Sequence, residues 1–350
     1  MKLGVLRTPG RDIIPMSKKV IKKLSDLGID VSIEKPVEPV EWEPVLFGGD
    51  NVYEERTSIL ESSDILLSTG YQEIETKSQY WIGEFQPFRD AEVAEKLKSK
   101  SITGLSLDMI PRISRAQAMD VLSSMASIAG YKAVLKAADL LPLYFPMMIT
   151  AAGSVRPAKV LVIGAGVAGL QAIATGKRLG AVIEAFDTRS AVKEEVESLG
   201  GKFVEVAGAK DEASSGGYAV EQSEDYKKKQ QEILAAKAKD ADVIITTAQL
   251  RGRPAPNIVT AEIVEAMKSG SVVIDLASST GGNCEFTEDN KTIVKHGVTI
   301  LGNSYLADTM PSTASELYAN NVMNFLELII KEGKVELDME DEIIKSARIS

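Results

Sequence analysis

The sequence predicts an α/β fold made of two successive units of alternating strand and helix. Three observations lead there. Short apolar runs (KLGVL from Lys2, DVSIE from Asp30, DILLS from Asp64, SITGL from Ser101) alternate with helical patterns, the order that builds βαβ units on a mainly parallel sheet. From Ser114 to Leu140 the chain has helical apolar spacing, no proline and a single glycine, Gly130, so it reads as one long helix. After it a second alternating series opens on AKVLVIG and a glycine-rich turn.

In order, KLGVL is a strand, a helix covers about Met16 to Leu27, and DVSIE, DILLS and SITGL are further strands. PLYFPMMITAAGSVRP, with its three prolines, marks the boundary after the long helix. In the second unit AKVLVIG is a strand, GAGVAGLQAIATGKRLG a turn and helix, and VIEAFD, KFVEV, DVIITT, SVVIDL and VTILG are strands. With helices near 222–239 and 259–268, the series fits a doubly wound sheet of about six strands. Thr313 to Lys331 is helical by the spacing of Leu317, Val322, Phe325, Leu326 and Ile329, and KEGKVELDMEDEIIKS reads as a charged tail.

At 350 residues, 44% hydrophobic and 26% charged, the chain can bury a sizeable core, which excludes disorder and collagen-like order. A net charge of −10 offers no broad basic surface, so nucleic acid is not an expected partner. The single cysteine, Cys284, cannot close an intrachain disulfide, and no signal stretch follows Met1; both point to the reducing cytoplasm. The longest uncharged run, Val160 to Gly176, has 17 residues and four glycines. A bilayer span takes about 20 apolar residues, so the chain is not expected to cross a membrane. One histidine, His296, lies in the strand-like VKHGVTI, which removes His-rich metal sites and makes any Ser-His-Asp chemistry depend on that one residue, for which a structural role is the plainer reading. No metal site is expected.

Gly164-Ala-Gly166-Val-Ala-Gly169 follows a predicted strand and opens a predicted helix. There the first glycine permits the tight turn, the second lets backbone approach a pyrophosphate, and the third lets helix and strand pack closely. Asp187 ends the next strand 21 residues beyond Gly166, close to the spacing of about 20 at which a carboxylate meets the adenosine ribose 2′-OH. That carboxylate would repel a 2′-phosphate, so the site should prefer NAD(H) to NADP(H). Arg189 reads either as a partner for a 2′-phosphate or as a solvated surface charge. VAGAKDEASSGGYAVEQ (206–222) is too long and aperiodic for an ordinary connection. It reads as a lid carrying Tyr218, or as a surface insertion. A third candidate is PRISRAQAMDVLSS, where Gln117 and Asp120 are three apart on one helix face and Arg112 sits in the preceding turn. Its residues, with Ser114 and Ser123, suit phosphate or amide recognition; a capped, charged helix start is the plainer reading.

RISRAQAMD, FPMMITAAG and GAGVAGLQAIATGKRLGA with FDTR, together with SGGY, ITTAQLRGRPAP and SVVIDLASSTGGNCE, resemble the alanine dehydrogenase/transhydrogenase family across nearly the whole chain. Within it the resemblance is to the NAD(H)-binding peripheral component (alpha subunit, domain I) of proton-translocating NAD(P) transhydrogenase. The resemblance implies two Rossmann-like doubly wound domains linked by long helices, the first formed by 1–125 with 311–350 and the second by 126–310. It also implies a homodimer, an NADP(H)-binding partner component, an integral membrane partner, and a peripheral place on the inner face of the cell membrane. By residue, it puts Arg112, Gln117, Asp120 and Ser123 at the nicotinamide end, beside the cofactor-binding candidate Ser114; Asp187, Thr188 and Arg189 at the adenosine ribose; and Tyr218 on the mobile loop. Val167, Gly217, Gln230 and Gln249 fall at further NAD-contacting positions.

Hydride transfer between NADH and NADP⁺ moves no proton between the substrates, so it needs positioning and no general acid or base. An NAD-dependent amino-acid (alanine-type) dehydrogenase, the alternative, must also pass a proton, usually through His or Lys. The region 65–105 offers Lys77 for that task but no histidine. A non-catalytic NAD-sensing module is the remaining alternative.

Overall fold

Strands whose side chains are apolar on both faces must be covered on both faces, and each of the two units meets that demand with a parallel sheet between helices. The structure, a computed structural model, describes residues 1–47, 52–206, 223–249 and 252–350. One unit comprises Met1–Met125 with Asp308–Ser350, the other Ala126–Ala307.

The first unit runs β1 (Lys2–Val5), α1 (Lys18–Asp26), β2 (Asp30–Glu34), α2 (Glu43–Phe47), β3 (Tyr53–Glu54), α3 (Arg56–Ser62), β4 (Ile65–Leu67), β5 (Tyr80–Gly83), α4 (Glu92–Ser99) and β6 (Thr103–Ser106). The strands pair in parallel in the order β3-β2-β1-β4-β5-β6. Strands β3 and β5 go beyond the sequence reading. The first is two residues long, and no helix separates β5 from β4, so neither produces an alternation of periods. Leu6, Leu66, Trp81, Phe85, Val93 and Leu97 form one core cluster of this unit, within which Trp81 Nε1 donates to Ser68 Oγ at 2.9 Å.

The single helix expected over Ser114–Leu140 is in fact two pieces. Ser114–Met119 is a 3-10 turn, Asp120 leaves helical geometry at φ −77°, ψ 89°, and α5 (Val121–Leu140) starts anew. The cause is a cap: the Asp120 carboxylate accepts the backbone N–H of Ser123 at 2.9 Å and its hydroxyl at 2.6 Å, satisfying a first-turn donor. Gln117 and Asp120 therefore do not share one α-helical face, a correction to the sequence reading.

In the second unit α5 is followed by a hairpin, β7 (Met148–Thr150) and β8 (Gly153–Val155), then by β9 (Lys159–Ile163), α6 (Val167–Arg178), β10 (Val182–Phe186), α7 (Lys193–Ser198), β11 (Lys202–Phe203), α8 (Glu224–Asp240), β12 (Val243–Thr246), α9 (Ala261–Ala266), β13 (Val272–Asp275), β14 (Lys291–Lys295) and β15 (Val298–Gly302). Its seven-stranded sheet has the order β11-β10-β9-β12-β13-β15-β14, parallel except at β14. Alternate residues point to opposite faces. Val160, Val162, Ile183, Ile245 and Ile274 pack with Val134, Ile173 and Val196, whereas Leu161, Ile163, Ile244 and Val273 pack with Tyr226, Leu234 and Ile263. The strand expected over VKHGVTI is a hairpin instead. His296 occupies its turn at φ +51°, followed by Gly297 at φ +77°.

From Pro311 to Ile329, α10 returns to the first unit, where Asn321 Nδ2 donates to the Ala118 carbonyl at 2.8 Å. The expected charged tail is structured. A hairpin, β16 (Ile330–Lys331) with β17 (Lys334–Val335), precedes α11 (Glu342–Ala347), because Ile343, Ile344 and Ala347 supply a buried face within the acidic segment. Among the described residues no helix is long and apolar enough to cross a membrane.

Candidate functional site

In the second sheet the strand order reverses between β9 and β12, and in such sheets ligands bind at the carboxyl ends of the strands flanking the reversal. The glycine turn lies there, directly after β9. Gly164 adopts φ +98°, and its N–H donates to the Phe186 carbonyl at 2.8 Å. A Cβ on Gly169 would lie 1.8 Å from the Gly164 carbonyl oxygen, so this glycine is demanded by close packing of helix on turn. Thr247, which follows β12, donates its hydroxyl to the same carbonyl at 3.1 Å and ties the two strand ends together.

Gly166 differs from the other two. A Cβ there would meet nothing within 4 Å, so the chain's own packing does not require glycine. As the N-cap of α6 it has no side chain to accept the first-turn N–H groups, and Val167 beside it is 41% exposed. An open approach to uncapped amides at the positive end of a helix suits a phosphate. The fingerprint residues therefore fit a dinucleotide pyrophosphate.

Asp187 follows β10 and is buried, and its carboxylate is fully engaged. Oδ2 accepts the Ala165 backbone N–H at 2.7 Å and Arg189 Nη2 at 2.7 Å; Oδ1 accepts Arg189 Nε at 2.9 Å and the Arg189 backbone N–H at 2.8 Å. Burial alone would push its carboxyl up, but the hydrogen bonds and charge of Arg189 outweigh it and hold the group below the usual carboxylate range. Arg189 is the bidentate partner of Asp187, a pairing that neither sequence reading of this arginine named. Thr188 between them is half-buried.

Gln249 lies at the same carboxyl edge, exposed, with Nε2 donating to the Leu276 carbonyl at 3.0 Å. Its loop is braced by Asn283, whose Nδ2 donates to the Ala248 and Pro256 carbonyls at 2.8 and 2.9 Å, while Oδ1 accepts the Ala248 N–H at 2.9 Å. Asp275 holds Asn283 in turn through its backbone N–H at 2.7 Å. The sequence reading missed this brace and the Thr247 tie; the brace's signal was GGNCE after SVVIDL, a polar cluster at a strand end. Gln230, on α8, is half-buried. Gly217 and Tyr218 lie outside the described residues.

The remaining candidates belong to the first unit. Ala116 and Met119 anchor the 3-10 turn in the core, and Arg115 pairs bidentately with Asp341 at 2.6 and 2.8 Å. Arg112, Ser114 and Gln117 are exposed, and Ser123 is committed to Asp120. Lys77 is exposed. His296 sits where β15 begins, at the amino edge of the second sheet, opposite the glycine turn.

The chain matches the family model "Alanine dehydrogenase/PNT, N-terminal domain" over residues 11–129 and "Alanine dehydrogenase/PNT, C-terminal domain" over residues 133–350. It is 40% identical to an NAD(P) transhydrogenase subunit alpha protein of Rhodospirillum rubrum, covering 98% of this chain and 94% of that protein. With NAD(P) transhydrogenase subunit alpha of Haemophilus influenzae it shares 46% identity over 75% of this chain and 52% of that one. A solved structure of transhydrogenase from Sinorhizobium meliloti superposes with a TM-score of 0.87 at 37% identity, over 99% of this chain and 98% of that chain. An L-alanine dehydrogenase structure, at TM-score 0.78 and 20% identity over 99% of this chain and 94% of its own, shares the fold.

Proposed function

The chain belongs to the alanine dehydrogenase/transhydrogenase family, and we propose that within it the protein is the NAD(H)-binding component of a proton-translocating NAD(P) transhydrogenase. One observation carries this reading. The carboxyl edge of the second sheet offers an open phosphate cradle at Gly166 with a carboxylate at Asp187, while the chain's one histidine lies at the opposite edge. The edge is equipped to bind and orient a dinucleotide and carries no histidine for proton transfer, which suits hydride transfer between two nicotinamides.

In this reading NAD(H) supplies the hydride, and the chain's residues hold and aim it. Gly164, Gly166, Gly169 and the first turn of α6 take the pyrophosphate, with Val167 against it. Asp187, Thr188 and Arg189 meet the adenosine ribose. Arg112, Ser114, Gln117 and Ser123, steadied by Asp120, orient the nicotinamide end, and Gly217, Tyr218, Gln230 and Gln249 are further positions for NAD(H). NADP(H) is held by a partner component, and proton movement belongs to a membrane partner that keeps this chain on the cytoplasmic face. A homodimer accounts for the exposed apolar run on and before β7: Leu143, Tyr144, Met147 and Ile149 are 46, 58, 61 and 73% exposed. An isolated two-stranded hairpin is marginal by itself, and a run of this kind marks an interaction surface.

The test is an assay of the purified protein in two mixtures. With NADH, NADP⁺ and an NADP(H)-binding transhydrogenase component it should form NADPH; with NADH, pyruvate and ammonium alone it should oxidise nothing. Turnover in the second mixture only would establish the amino-acid dehydrogenase in its place.

A further inference from the structure

Asp187 offers a ribose hydroxyl less than its position suggests. A carboxylate has about four lone-pair sites, and here four donors use them: Ala165 N, Arg189 N, Arg189 Nε and Arg189 Nη2. The Ala165 contact joins Asp187 to the glycine turn and the Arg189 backbone contact closes the strand end, so both belong to the fold of the site. The two guanidinium contacts can be exchanged.

We propose that Arg189 sets the nucleotide selectivity of this site by competing with the adenosine ribose for the Asp187 carboxylate. The inference rests on the dinucleotide reading of the site and deepens it. A 2′-hydroxyl reaches Asp187 only by displacing one arm of a bidentate, charge-assisted pair, which lowers the net gain from NADH. A 2′-phosphate meets a paired carboxylate rather than a bare one, so repulsion is weakened, and the displaced guanidinium is at hand to pair with it. Arg189 thus makes the site more tolerant of NADPH than Asp187 alone would.

Two substitutions should move selectivity in opposite directions, a result that a purely structural role for Arg189 does not produce. Affinities for NADH and NADPH, and for the probes 5′-AMP and adenosine 2′,5′-bisphosphate, are measured by calorimetry on the full chain, with thermal melting as a check on folding. Arg189→Ala uncovers Asp187, and the NADH-over-NADPH preference rises about tenfold or more, the size of one charge-assisted hydrogen bond. Asp187→Asn releases Arg189 and lowers the preference by a comparable factor. The inference is overturned if the preference is unchanged in Arg189→Ala, or if both nucleotides weaken equally in a variant that melts normally. Should Arg189→Ala melt abnormally, Arg189→Gln repeats the measurement under the same criteria. If the unmutated protein binds neither nucleotide, the site reading itself falls and the inference with it.

Discussion

A Cβ placed on Gly130 would lie 2.1 Å from the carbonyl oxygen of Ala168 and 3.0 Å from its Cα. The one glycine of α5 is thus where that helix passes against the first turn of α6, the turn that carries the fingerprint. In the sequence it looks like a flaw in a long helix.

Gly130→Ala tests this directly. Helix propensity favours alanine by about 1 kcal/mol, but the clash is with backbone, and overpacking costs roughly 1–3 kcal/mol. A net loss of stability in urea unfolding, with weakened NADH binding, is expected. A variant more stable than the parent would show that the helices separate freely.

Burial pushes the Glu84 carboxyl up from 4.5 to about 7, with Asp108 and Asp308 adding to the rise and Arg11 opposing it; Tyr318 lies in the same buried group. Because the folded pKa exceeds the unfolded one, the native state holds the proton more tightly. Stability should therefore fall as pH rises from about 4.5 to about 7, by at most on the order of 3 kcal/mol, and stay level above. Glu84→Gln should flatten that decline, as read from urea midpoints at about pH 5 and about pH 8. A variant with the parent's slope would place the titration elsewhere.

Asp120 and Gln117, neighbours in sequence, should separate in behaviour. Loss of the cap in Asp120→Ala costs about 1 kcal/mol of stability, which Asp120→Ser largely restores. Exposed Gln117 should leave stability within about 0.5 kcal/mol when changed to Ala. NADH affinity should hold within a few-fold while single-turnover hydride transfer drops more, the mark of an interaction made mainly in the transition state. An unchanged transfer rate would remove Gln117 from the reacting face.

Ile149→Asp puts a charge in the exposed apolar run of β7. Light scattering should show the proposed homodimer giving way to monomer with the melting temperature little changed. An unaltered mass would move the proposed interface off this hairpin.

The sequence showed the parallel sheets and the fingerprint because both write themselves in local periods: VLVI and VIIT are apolar on both faces, and glycines mark the turn after β9. It did not show β5, which follows β4 without a helix, nor α11, whose Ile343 and Ile344 sit within acidic residues. Asp120 was visible as a candidate, but its cap on Ser123 depends on a backbone break that spacing does not reveal. The Asp187–Arg189 pair was legible as two residues and illegible as a pair, since a guanidinium two residues from a carboxylate can turn either way until the strand end is built. Asn283 stands in a visible polar cluster, GGNCE, but its partners and that of Thr247 lie far along the chain, which no local pattern names.

Direct hydride transfer from NADH on this chain to NADP⁺ on a partner component is the step on which the proposed function stands. Single-turnover mixing of the protein, NADH carrying deuterium at the transferred position of C4, and an NADP⁺-loaded transhydrogenase component tests it, with the products read by mass spectrometry. Direct transfer predicts NADPH that carries the deuterium, with none exchanged into water. Unlabelled NADPH, or no NADPH at all from a mixture in which NADH is bound, would contradict it.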